Sequence, residues 1–251
     1  KGVCPSSNAA PLRDNFSYFE DAVILRSTSM RFEEGQTPLH LASIFGHSAI
    51  AQWAIENKAL INAKDTLGST PLHEACRYGN IDLIELLLRY GADPNAADSL
   101  GKTPLHLVYE SKNRTKIYEL LLKNGANPNV KDMFGDTALH IASINGFDTS
   151  VLEILTSYNA DVNERNKQGI TPLSLAVNKE NKDQVAFYIR NNADIHAEDI
   201  SSISPLAKAL SLKSSLSYEL LKILINKDTI NSRDSFGNTA LHLACEYNAS
   251  A

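Results

Sequence analysis

The sequence predicts an all-α solenoid: short helix-turn-helix units stacked on copies of themselves, with turn-rich, hairpin-like fingers projecting from the stack. Three observations predict it. A four-residue phrase recurs seven times, as Thr37-Pro38-Leu39-His40, Thr70-Pro71-Leu72-His73, Thr103-Pro104-Leu105-His106, Thr137-Ala138-Leu139-His140, Thr171-Pro172-Leu173-Ser174, Ser204-Pro205-Leu206-Ala207 and Thr239-Ala240-Leu241-His242. Successive starts lie 33, 33, 34, 34, 33 and 35 residues apart. Hydrophobic residues make up 43% of 251 residues, enough for a long stacked core but not for one large globular core. A period of this length marks one supersecondary unit that cannot bury its own apolar face, so neighbouring units must cover it.

Each letter of the phrase has a physical task. Thr is a helix N-cap whose hydroxyl can accept from an orphan backbone N–H. Pro suits the first helical position, where its missing donor costs nothing and its fixed φ is already helical. Leu opens the buried face. His can donate from one ring nitrogen to backbone while accepting at the other, tying adjacent turns together.

The second copy shows the rest of the unit. Thr70 to Arg77 is expected as a short first helix, broken at Gly79-Asn80. Ile81 to Tyr90 is expected as a second helix, apolar at Ile81, Leu83, Ile84, Leu86, Leu87 and Leu88. Gly91 ends it as a residue able to take positive φ. The stretch from Asp93 to Gly101 is turn-rich and is expected to project as the finger.

The phrase, the double-Leu helix, the Gly-Ala-Asp turn and the Asp-x-x-Gly finger together resemble the ankyrin repeat. The resemblance covers Thr37 to Ala251 and implies an ankyrin-repeat solenoid. Six full units are expected at 37–69, 70–102, 103–136, 137–170, 171–203 and 204–238, with a partial seventh at 239–251. Residues 1–36 lack the phrase and are expected to form an N-terminal extension or degenerate capping repeat, with Phe16 to Leu25 as a packed helix. The seventh unit stops before a second helix, so a fragment of a longer chain is expected.

The departures locate a weak end. The 34-residue units carry one extra residue between their helices, near Lys112–Thr115 and Phe147–Ser150. The sixth unit matches worst: Ala207 replaces the His, Ser202 replaces the finger Gly, His196 replaces the usual finger Asn, and a Ser-rich turn runs from Ser211 to Ser215. Because stability in a stack is a sum of unit and neighbour terms, residues 196–238 are expected to open first.

Composition excludes several classes. The net charge of −5 and dispersed Lys and Arg argue against a nucleic-acid footprint. No apolar run is long enough to cross a bilayer, and the start resembles neither a signal peptide nor a lipidation motif. Cys4, Cys76 and Cys245 have no disulfide-framework spacing, which suits a reducing compartment, cytoplasm or nucleus, in the source cell or a host cell. Cys76 and Cys245 occupy the same small position in their first helices and are both expected to be buried.

No catalytic constellation emerges. Five of seven histidines (His40, His73, His106, His140 and His242) are the fourth letter of the phrase and read as structural; His47 falls in an inter-helix turn, and His196 has no Cys or His at zinc spacing. The finger aspartates Asp65, Asp98, Asp132, Asp199 and Asp234 recur once per unit, as residues closing Asx-type turns do. No phosphate loop or nucleophile elbow is present. No enzyme, metal or cofactor is therefore expected in this chain.

The resemblance implies a protein partner gripped by finger tips and the exposed face of the first helices. Apolar and aromatic candidates concentrate early: Phe45, Leu67, Tyr78, Leu100, Met133 and Phe134, with Arg77 and Lys102 beside them. The fifth unit is polar there, with Asn178-Lys179. Aromatic residues and Arg on a rigid support are the usual interface anchors. The favoured function is a non-catalytic, monomeric interaction scaffold. Its rivals are a regulatory module of a larger enzyme, channel or transcription regulator, a pathogen effector acting on a host protein, and an inhibitor resembling the family that masks NF-kappa-B.

Overall fold

The structure, a computed structural model, describes residues 34–110, 113–212 and 216–249. The expected Phe16–Leu25 helix and Cys4 lie outside these residues. First helices run over Pro38–Phe45, Pro71–Tyr78, Pro104–Glu110, Ala138–Ile144, Pro172–Asn178, Pro205–Ser211 and Ala240–Ala249. Second helices run over Ser48–Glu56, Ile81–Arg89, Arg114–Lys123, Thr149–Ser157, Lys182–Arg190 and Ser217–Leu224. Pro104–Glu110 is wound as a 3₁₀ helix, unlike its counterparts. Among the described residues there is no strand.

Each first helix packs on the first helix of the next unit, and each second helix on the next second helix, so the chain forms two parallel layers. The phrase Leu sits between them: Leu39, Leu72, Leu105, Leu139, Leu173 and Leu206 are buried, as are Leu83, Ile84 and Leu87 of the second unit. Burying such a side chain stabilises the fold by roughly 1.5–3 kcal/mol, and each needs a neighbouring unit to do so. Leu241 of the last first helix is 72% exposed, against 0% for Leu206, because no described unit covers its far side. Cys245 shares that exposure, which corrects the expectation of burial; Cys76, covered by the following unit, is buried.

Three kinds of hydrogen bond tie the stack together. The first is the phrase histidine. Nε2 of His40, His73, His106 and His140 contacts the carbonyl of Ser69, Lys102, Asp136 and Ile170 at 2.9, 3.0, 3.0 and 3.0 Å. A carbonyl only accepts, so Nε2 carries the hydrogen and Nδ1 is bare. Nδ1 then accepts from the backbone N–H of Thr37, Thr70, Thr103 and Thr137, each at 3.1 Å. Each ring thus caps its own helix and reaches the last residue of its unit, immediately before the next first helix. Where the ring is missing, the N-cap hydroxyl of Thr171 or Ser204 accepts from the amide three residues on, at 3.2 and 3.1 Å, and the bridge to the end of the unit is lost.

The second tie is an asparagine ladder. Asn62, Asn95, Asn129 and Asn163 each donate their side-chain amide to a carbonyl of the next unit, at Gly91, Gly125, Asn159 and Asn192. Each also accepts from a backbone N–H there, at Asp93, Asn127, Asp161 and Asp194. The third tie joins finger tips through main chain: Ser99 to Leu67, Met133 to Leu100, Lys167 to Phe134 and Ile200 to Gln168.

The tip glycines make the third tie sterically available. Gly135 has φ 82°, and a Cβ there would lie 2.7 Å from the Lys167 nitrogen. Ser202 occupies the same place two fingers further on, with φ 57°. Among the described residues, no backbone bond then joins Ser235 to the Ser201 tip; a Cβ stands where the following finger would approach.

Candidate functional site

Each finger is shaped by one side-chain oxygen. Oδ1 of Asp65 accepts from the N–H of Leu67 and Ser69 at 2.9 and 2.8 Å. Asp98, Asp132, Asp199 and Asp234 repeat the arrangement, and Asn166 supplies it in the finger whose aspartate is missing. These carboxylates close turns. The side chain that follows two residues later is therefore carried outward on a fixed backbone.

Leu67, Leu100 and Phe134 occupy that outward position in three consecutive fingers, with Met133 beside Phe134, and all four are exposed. Phe45 and Tyr78 are exposed at the C-terminal ends of the first two first helices, where Gly46 and Gly79 stop the helix in the left-handed region. The Phe45 ring stacks on His47, with centroids 6.2 Å apart. Lys102 is half-buried; its amide donates to Asp98 Oδ1 and its carbonyl accepts from His73, so its backbone belongs to the frame.

Exposure of apolar tips does not end with the fourth unit. Ile200 and Phe236 are 77% and 79% exposed, more than Phe45 at 67%. The polar pair Lys167-Gln168 therefore separates two apolar stretches of finger tips.

Arg77 lies beside Tyr78 on the first-helix layer and meets Glu74, one turn back, at 3.5 Å. The Glu74 side chain is only 4% accessible. Burial raises its carboxyl above the ordinary glutamate value, with Arg77 pulling the other way. Sequence reasoning named Arg77 and missed Glu74, although the signal was there. Leu41, Leu107, Ile141 and Leu175 fill the same place in four other units. It also missed the task of Asn62, Asn95, Asn129 and Asn163, whose spacings of 33, 34 and 34 residues follow the repeat.

The histidines are frame, not reagents. Burial lowers His73, His106 and His140 below the ordinary histidine value, which keeps the rings neutral. Burial pushes the Cys76 thiol far up, leaving it inert as a nucleophile. His196 donates from Nε2 to Ser232 Oγ at 2.9 Å, since that hydroxyl itself donates to the Thr229 carbonyl. Among the described residues, no three His, Cys, Asp or Glu side chains gather as a metal site, and no helix is long and apolar enough to cross a membrane. An open groove between second helices, lined by Thr149, Ala186, Ile189 and Ile223 with Arg190 and Lys222 at its edge, lies apart from the candidate residues.

The family model described as ankyrin repeats (3 copies) matches residues 22–98, 39–132, 105–199 and 173–251. No curated protein matches the chain at significance.

Proposed function

The chain belongs to the ankyrin-repeat family, and from that premise we propose that it is a non-catalytic scaffold binding a partner protein across its first-helix layer and finger tips. Ankyrin repeats in general serve as protein-interaction modules. The organisation we assign is six full units with starts at 37, 70, 103, 137, 171 and 204, a partial seventh from 239, and a capping segment before 37.

One observation carries the reading: exposed Phe45, Tyr78, Leu67, Leu100 and Phe134 stand on helix ends and finger tips that main-chain bonds hold in place. A surface already ordered loses little entropy on binding, so apolar contact converts efficiently into affinity. Each anchor is expected to contribute on the order of 1–2 kcal/mol or more.

The test is a paired capture from lysate of the source cell. One bait is the chain; the other carries Phe45, Leu67, Tyr78, Leu100 and Phe134 changed to Ala, with its fold checked by circular dichroism. A partner held by the first and lost by the second supports the scaffold and its face. Equal recovery from both rejects this face.

A further inference from the structure

Glu74 stands where stability alone favours an apolar side chain. Leu41, Leu107, Ile141 and Leu175 fill the equivalent position, and Lys208, half-buried, is the other polar occupant among the full units. Placing a carboxylate there removes it from water, and a buried charge is tolerated only with a partner. Its partner is Arg77. The counterparts of Arg77 are Ile44, Glu110, Ile144, Asn178, Ser211 and Glu246, so no other unit repeats this cation.

The two halves of the pair face differently. The Arg77 side chain is 29% accessible and the Glu74 side chain 4%. The anion lies underneath and the cation lies at the surface, so an approaching molecule meets the guanidinium before the Glu74 carboxylate. A guanidinium offers five N–H donors in a planar fork, and one long contact to Glu74 leaves most of them open. On its surface side Arg77 has the exposed ring of Tyr78 as chain neighbour and, one unit back, the exposed ring of Phe45.

The geometry points to Arg77 as the specificity-determining residue of this surface, held in place by Glu74, reading a carboxylate in a partner segment whose flanking apolar side chains meet Phe45 and Tyr78. This inference rests on the protein-binding reading above. A carboxylate suits the site better than a phosphate: recognition of a phosphate dianion draws on clusters of Arg, whereas here one guanidinium lies beside its own counter-ion. A basic segment is disfavoured because the pair's anion is covered. Glu74 is a positioning residue, and it confines a long side chain that binding would otherwise have to order.

The test uses the whole chain as bait for a phage-displayed library of random peptides, beside Arg77→Ala, Glu74→Leu and Phe45→Ala/Tyr78→Ala variants, each checked for its thermal melt. The wild-type chain is expected to enrich peptides with Asp or Glu beside large apolar residues. A selected peptide should bind Arg77→Ala about tenfold or more weakly, and changing its acid to Gln should remove the difference between the two baits. Glu74→Leu should melt no lower than wild type yet bind the acidic peptide more weakly, an outcome a purely structural glutamate does not give. Peptides without an acidic preference, or with equal affinity for Arg77→Ala, overturn the inference; if they still depend on Phe45 and Tyr78, the scaffold reading stands without it. Peptides indifferent to all three variants, or no enrichment at all, overturn both.

Discussion

Two stretches of the same repeat differ in how their units are joined. From Thr37 to Ile200 each of the four junctions carries a tip-to-tip main-chain bond and an asparagine rung, and each of the four units before them carries a histidine bridge. Beyond Ile200 the next finger is joined by His196 to Ser232 and by Ser235 to Glu198, at 2.9 and 3.3 Å. The apolar core is continuous across both stretches. With a shared core, the small polar ties are expected to decide where the array opens, because each junction supplies its own increment of stability.

The largest break in this comparison should come from a front histidine. His106→Ala removes the bridge to Asp136 and the bond to the Thr103 N–H, leaving buried polar groups unmatched. The expected loss is about 3 kcal/mol, read as a lower urea midpoint, with exchange rising between 103 and 140. A loss under about 0.5 kcal/mol would show that the bridge does not hold the front together.

Acid should then narrow the gap between the stretches. Folding holds His73, His106 and His140 below the ordinary value of 6.5, so the unfolded chain binds more protons as pH falls through that value. Their contribution is complete above about pH 6.5 and is lost as pH falls from there through the depressed folded-state values. Exchange protection of 71–144 should decline between pH 7.5 and 5.5 more than that of 217–224, whose unit has no phrase histidine. An equal decline in both would contradict the assignment.

Gly135→Ala attacks a front tip directly. A methyl 2.7 Å from the Lys167 nitrogen, at φ 82°, must push the fingers apart. About 2 kcal/mol of destabilisation is expected from the left-handed conformation and the displaced bond. The reverse change sharpens the comparison with the smallest effect: Ser202→Gly should relieve its φ of 57° and stabilise the rear by about 1 kcal/mol. A thermal melt combined with regional exchange checks both.

Much of this difference was legible in the residues. The phrase fixed the first helices because Thr, Pro and Leu each satisfy a local requirement, and the finger aspartates did close Asx-type turns as expected. Ala207, Ser202 and His196 stood out as departures from register, and each coincides with a missing tie. What was illegible depends on neighbours. Cys245 has the local sequence of Cys76, but no described unit covers it. The exposure of Ile200 and Phe236 likewise arises from packing between units, which no window of one unit contains. The 3₁₀ winding of Pro104–Glu110 carries no signal in a phrase identical to that of the second unit.

Hydrogen exchange along the whole chain at neutral pH tests the central claim most directly. The account predicts slow amides through Leu83–Leu88 and Val151–Leu155, with Ser217–Leu224 and Ala240–Ala249 exchanging first and together. Uniform protection from Thr37 to Asn238 would contradict it, and would mean that the continuous apolar core alone sets the stability of every junction.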